Sequence, residues 1–227
     1  MIKAASKIVL TLGMVVCLSD ARALKNEGIE VTYEDPATYE KKTVAIKRIT
    51  DNECRKVDGG NSNVIWGGDY AHKDVPAACK KTFVTTAGIL APMKIAEGID
   101  TLGELEVIEF IQEAGDDEDM IVVDARLNDW YVRETIPSAV NISFKDFDPK
   151  SQNFEIVLDN AGIEYEDGKY DFSEAKTMLL FCNGIWCPQS TWAIENLLSI
   201  GYPKEKLKWY RGGMYSWKIS NLTTVKP

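Results

Sequence analysis

The stretch Met178-Leu-Leu-Phe-Cys182-Asn-Gly-Ile-Trp-Cys187-Pro-Gln-Ser190 constrains the fold of this chain more than any other. Its apolar residues run without alternation, which reads as a short strand covered on both faces, as in parallel sheets. A cysteine ends the run, and glycine and proline mark a short loop. Ala193, Ile194, Leu197 and Leu198 then recur at helical spacing, with Gly201 as the C-terminal cap. Strand, tight loop and helix in that order place Cys182 over backbone N–H groups and a helix N-terminus, which together hold negative charge. A thiolate, a persulfide or a bound oxyanion is stabilised in such a place, and a cysteine there is reactive. The same residue reads equally well as a small core hydrophobe ending a buried strand. The local pattern leaves both readings open.

The flanking sequence supplies the rest of an alternating pattern. Thr101-Leu-Gly-Glu104 reads as a capping box, and Leu102, Leu105, Ile108 and Ile111 follow at helical spacing up to Gly115. Asp116 to Asp119 read as a solvated acidic turn, and Met120-Ile-Val-Val123 as a buried strand ending at Asp124-Ala-Arg126. A short strand is expected over Ile136–Ile142, a helix over Gln152–Asn160, and another strand over Leu207–Tyr210. Short apolar strands alternating with helices indicate a parallel α/β sheet. Ligands of such sheets bind outside the carboxyl ends of the strands, where Cys182 falls. Topology thus shifts the balance toward chemistry.

The first residues stand apart. Lys3 and Lys7 precede the apolar run Ile8–Leu18, and Ala21-Arg-Ala23 follows. A basic start, a short apolar core and an A-x-A site predict a secretory signal peptide over residues 1–23, cleaved after Ala23. The apolar run is short for a bilayer span, so no stable membrane anchor is expected. Export, most simply to a bacterial periplasm, puts the cysteines in a compartment where disulfides persist. Cys54 and Cys79 lie in a polar, turn-rich stretch and read as a structural pair. Closing that loop stabilises by about 3 kcal/mol in the chain-entropy model. His72 is the only histidine, and its spacing from these cysteines fits no common zinc pattern, so no metal is expected. Residues 24–100 read as a small irregular N-terminal extension with short strands at Thr43–Ile46 and Thr82–Thr86. A formal net charge of −9 offers no basic face for phosphates and excludes nucleic acid as the expected partner.

Three segments carry a family resemblance. Val122-Val-Asp124-Ala-Arg126 resembles a strand ending in D-x-R, and Thr135-Ile-Pro-Ser-Ala-Val-Asn-Ile142 resembles an H-I-P-G-A-x-N-I signature. Arg211-Gly-Gly-Met-Tyr-Ser-Trp217 resembles a closing G-G-x-x-x-W. In this order, with the cysteine strand between the second and third, the chain from 101 to 227 resembles a rhodanese (sulfurtransferase) domain. The fold this implies is α/β, a rhodanese-like parallel sheet flanked by helices, with residues 24–100 as its extension. The resemblance implies a double displacement at Cys182. Its thiolate takes sulfur from thiosulfate, polysulfide or a protein persulfide, then passes it to a thiol or other thiophilic acceptor. No cofactor is implied. A nucleophile of this kind must be a thiolate, and loop N–H groups stabilise both it and the persulfide anion.

The departures from the family pattern are specific. The loop Asn183, Gly184, Ile185, Trp186, Cys187, Pro188, Gln189, Ser190 is about two residues longer than usual and contains no Lys or Arg. That argues against a phosphatase, which grips phosphate with a loop arginine, and weakens the case for thiosulfate, a dianion. Asp124 and Arg126 read as an orienting ion pair, Ser190 as a helix cap, and Arg211 as the source of the missing positive charge. Trp186 reads as a pocket wall or a space-filler. Cys187 has three readings: a resolving thiol for a Cys182 persulfide or sulfenate, a permanent disulfide partner, or an idle side chain. The rival to the sulfurtransferase is thus a catalytically silent partner-binding module in which Cys182–Cys187 is a structural or redox disulfide.

Overall fold

A computed structural model describes residues 28–36, 38–47 and 90–227. Cys54, Cys79, His72, the expected strand at Thr82–Thr86 and the leader at 1–23 lie outside these residues. A first hairpin pairs β1 (Ile29–Glu34) with β2 (Lys41–Ile46), antiparallel. The chain then runs β3 (Asp100–Leu102), α1 (Glu104–Ala114), β4 (Met120–Asp124), α2 (Asn128–Tyr131) and β5 (Val140–Asn141). Next come α3 (Phe154–Ala161) and a two-stranded ribbon of β6 (Glu164–Glu166) and β7 (Lys169–Asp171). The last elements are β8 (Thr177–Phe181), α4 (Gln189–Ser199), β9 (Leu207–Tyr210) and α5 (Gly213–Ile219).

One five-stranded sheet forms the centre, in the order β3-β9-β8-β4-β5, and every pairing in it is parallel. Strand β8 shows why its sequence does not alternate. Met178 and Leu180 point into a core layer with Val157 of α3 and Ala193, Ile194 and Leu197 of α4. Leu179 and Phe181 point the other way, toward Val107, Ile108 and Ile111 of α1 and Trp217 of α5. All four strand residues are fully buried. Covering each is worth roughly 1.5–3 kcal/mol, so neither face tolerates a polar residue.

Strand register positions the site. Phe181 pairs with Asp124 on one side and Tyr210 on the other. Three strands therefore end level, and Cys182, Ala125 and Arg211 leave the sheet together. Ala125 N–H donates to Phe181 O at 2.9 Å, extending the β4–β8 ladder by one bond.

Several local expectations are corrected. The helix-start box does not use Thr101, which belongs to β3 and pairs with Trp209. The box forms two residues later, with Gly103 as cap and its N–H donating to Glu106 Oε2 at 3.1 Å. Of the strand expected over Ile136–Ile142, only Val140–Asn141 pairs. Ser138 sits at φ +73°, a left-handed conformation that interrupts an extended run. The helix expected over Gln152–Asn160 begins later, as α3. Part of the N-terminal extension also joins the domain. Val31 and Ile46 of the first hairpin are buried against α1, and Thr223 Oγ1 donates to Ala45 O at 3.1 Å.

Candidate active site

The loop from Cys182 to Pro188 hangs between the end of β8 and the start of α4, and the start of α5 supports it from below. Met214 N–H donates to Cys182 O at 3.0 Å, and Tyr215 N–H donates to Asn183 O at 2.9 Å. This approach requires Gly213. Its φ is +55°, and a Cβ there would stand 2.3 Å from Cys182 O. The glycine pair before Trp217 is thus a cradle for the loop, and Trp217 anchors it, fully buried, with Nε1 donating to Thr223 O at 2.7 Å. Cys187 N–H donates to Gly184 O at 2.9 Å and folds the loop back over Cys182. Trp186 packs edge-on against Tyr215, ring centroids 4.9 Å apart, which makes it a prop of the loop.

Cys182 is only 3% exposed. Its Sγ donates to Cys187 O at 3.2 Å and accepts from Ser190 Oγ at 3.2 Å. Ser190 is fully buried, and its Oγ accepts from Trp209 Nε1 at 3.1 Å. An indole N–H can only donate, so Trp209 fixes the Ser190 oxygen as acceptor on one side and frees its proton for the Cys182 sulfur on the other. This corrects the reading of Ser190 as a helix cap. Pro188 holds the cap position, and Ser190 lies inside α4 on its buried face with Ala193, Ile194 and Leu197.

Cys187 is also buried, and both thiols stand free. The two sulfurs hydrogen-bond each other, so their ionisations depend on each other. The Cys187 thiol is pulled down, to about 6, first by the hydrogen bond from Cys182 and then by the N–H groups of Gln189 and Asn183. Asn183 Nδ2 adds a long contact to Cys187 Sγ at 3.7 Å. Burial pushes the Cys182 thiol well up, the hydrogen bond and charge of Cys187 push further, and Ser190 offsets part of this. The two thiols are thus driven in opposite directions, Cys187 toward the thiolate and Cys182 toward the protonated form.

The other residues singled out in the sequence lie around this core. Asp124 and Arg126 form a buried ion pair, with Arg126 Nη2 donating to Asp124 Oδ2 at 2.6 Å and to Glu134 O at 2.7 Å. Thr135 Oγ1 donates to Asp124 Oδ2 at 2.8 Å, so the pair ties the end of β4 to the segment before β5. Arg211 leaves the end of β9 but turns to the main chain. Its Nη2 donates to Ala91 O at 2.8 Å and its Nε to Pro92 O at 3.2 Å. Ala91 N–H in turn donates to Ile185 O of the loop at 2.8 Å. Arg211 therefore straps residues 91–92 across the loop, its guanidinium donating to their main-chain oxygens. The adjoining cleft, about 220 Å³, is lined by Met93, Ile185, Tyr210 and Arg211. Among the described residues no group of three or more His, Cys, Asp or Glu side chains is placed to hold a metal ion, and no helix is long and apolar enough to cross a membrane.

A parallel sheet whose central strand delivers a cysteine into an N–H-lined loop defines a class of α/β proteins with nucleophilic or anion-binding loops. The particular family follows from comparison. The rhodanese-like domain matches residues 107–220, half of the chain, and the chain belongs to that family. A comparison with curated proteins gave no match. Among solved structures, it is similar to a thiosulfate sulfurtransferase from Pseudomonas aeruginosa, 18% identical, TM-score 0.40, over 56% of this chain and 20% of that one. It is also similar to a rhodanese with anions from E. coli, 22% identical, TM-score 0.30, over 48% of this chain and 99% of that one. A third is a protein from Bacillus halodurans, 21% identical, TM-score 0.40, over 56% and 76% of the two chains.

Proposed function

We propose that this protein is a sulfurtransferase or sulfane-sulfur carrier that accepts sulfur as a Cys182 persulfide and passes it to a thiophilic acceptor. The observation that carries the reading is the chain Trp209–Ser190–Cys182, which aims a fixed hydroxyl proton at a buried sulfur. A buried thiol that only packs does not need such a donor, whereas a thiolate or persulfide anion is stabilised by it. The loop carries no cation and Arg211 is held by carbonyl oxygens, which favours a persulfide or polysulfide donor over a dianion. The basic start, apolar run and A-x-A site support export, so the reaction is placed in the periplasm, with protein or small-molecule thiols as acceptors.

One observation favours the rival, a silent binding module: Cys182 is buried and its thiol pushed up. The test is to give the reduced protein glutathione persulfide, or thiosulfate, then cyanide. Thiocyanate is expected, with sulfur mapped to Cys182 beforehand and neither signal in Cys182→Ser. No sulfur uptake from either donor, together with a Cys182–Cys187 disulfide that re-forms at once in air, would establish the binding module instead.

A further inference from the structure

A persulfide on Cys182 would form next to a second thiol that no simple single-cysteine cycle uses. The Gly184–Cys187 turn lays the loop back so that the Cys182 sulfur contacts Cys187 O at 3.2 Å and the Cys187 sulfur itself. A soluble acceptor has to reach a sulfur that is only 3% exposed. Cys187 needs no approach, since it is already in the site at the high effective concentration of an intramolecular group. N–H groups of Asn183 and Gln189 face its sulfur and support the thiolate, which suits it as an attacking group near neutral pH.

We propose that Cys182 and Cys187 form a dithiol couple that reduces the sulfur accepted by Cys182 to hydrogen sulfide. This rests on the sulfur-accepting role of Cys182 given above. In the first step Cys182 attacks the outer sulfur of a persulfide donor, R–S–SH, while its proton passes to the Cys187 thiolate. The S–S bond of the donor breaks, R–S⁻ leaves, and Cys182–S–SH stands beside Cys187–SH. In the second step Cys187 sulfur attacks the inner sulfur of Cys182–S–SH. The persulfide S–S bond breaks, the Cys182–Cys187 bond forms, and the outer sulfur leaves with the Cys187 proton as hydrogen sulfide. The two cysteine sulfurs give up two electrons and the transferred sulfur takes them. An external dithiol, in the manner of a thioredoxin-class partner, returns the pair to its reduced state by disulfide exchange.

The experiment is a single turnover of the reduced full chain with glutathione persulfide and no added reductant, following free sulfide and the intact mass. Wild type is expected to release about one sulfide per chain, in a one-to-one ratio set by the two-electron couple, and to end as the Cys182–Cys187 disulfide. Cys187→Ser and Cys187→Ala, which lack the thiolate that takes the Cys182 proton, are each expected to load sulfur more slowly, at a rate that rises with pH, then to release no sulfide and to retain the extra sulfur on Cys182. A wild-type protein that keeps the extra sulfur with both routes open, and releases no sulfide, overturns the couple while sulfur acceptance stands. A wild type that neither takes up sulfur on Cys182 nor releases sulfide overturns the two readings together.

Discussion

Replacing Ser190 with alanine removes one oxygen from a fully buried site and breaks two hydrogen bonds in line. The indole N–H of Trp209, itself 1% exposed, loses its acceptor. A buried donor left without a partner costs about 1–3 kcal/mol. Alanine is a better helix former than serine and returns roughly 0.5 kcal/mol of that inside α4. The net loss is then about 1–2 kcal/mol, a fall in Tm of roughly 2–8 °C for a chain of this size. On the other side, Cys182 loses the hydroxyl that holds its thiol down. A hydrogen bond to a charged group is worth about 1.5–3 kcal/mol, so its loss should push the Cys182 thiol further up. Urea unfolding under reductant reads the first effect, and iodoacetamide alkylation of Cys182 against pH reads the second. The decisive version is a double-mutant cycle with Trp209→Phe, which removes the orphaned donor. The two substitutions are expected to be non-additive by about 1 kcal/mol. Strict additivity, together with an unchanged alkylation profile in Ser190→Ala, would refute the relay.

The remaining predictions concern charge and the strap. Because the Cys187 thiol is pulled from 9.0 to about 6 in the folded chain, the unfolded chain binds one proton more between these pH values, so stability of the reduced protein rises with pH across that window. Above pH 9 the sign reverses, since Cys182 stays protonated in the folded chain and ionises in the unfolded one; urea midpoints of wild type and Cys187→Ser, compared from pH 6 to 10, check both limbs. Arg211→Ala should cost only about 1 kcal/mol globally but speed amide exchange at Ala91, whose N–H bonds Ile185 O, while β8 amides keep their protection. Unchanged exchange at Ala91 would mean that the guanidinium does not hold the strap.

The sequence reading reached the parts of the fold that single-residue chemistry dictates. Strands β4, β8 and β9 were legible because their apolar runs answer to covered faces, and Cys182 because it ends the central one. Strand β3 was hidden by Thr101 and Gly103, which read as easily as a helix start. Ile136, Ala139 and Ile142 are buried at a spacing of three, which a strand of period two does not give, and the positive φ of Ser138 makes a turn of the segment. Ser190 was misread although the signal was present. It stands three, four and seven residues before Ala193, Ile194 and Leu197, on the buried face where a capping hydroxyl has no reason to be. Arg211 was illegible for a different reason. Its partners Ala91 and Pro92 lie about 120 residues away, and no local pattern announces a carbonyl brought back from that distance.

That displacement of Arg211 bears on how the loop handles charge. The loop itself carries no Lys or Arg, and the Arg211 guanidinium at the end of the neighbouring strand donates to main-chain oxygens. What remains at the sulfurs is neutral: the N–H groups of Asn183, Gln189 and Ser190, the Ser190 hydroxyl, and one proton shared between two thiols. Such a set holds a single negative charge well, because each donor lowers the energy of one thiolate without adding a counter-charge. A second charge brought in by a dianion would meet the first across a few ångströms of low-dielectric interior, where repulsion between like charges is several kcal/mol even at an effective dielectric of about 20. A persulfide donor, as proposed above, brings at most one charge where thiosulfate brings two, and so meets less of that repulsion. In the proposed reaction the second cysteine takes the place of a cation: its sulfur accepts the proton that Cys182 loses as it attacks.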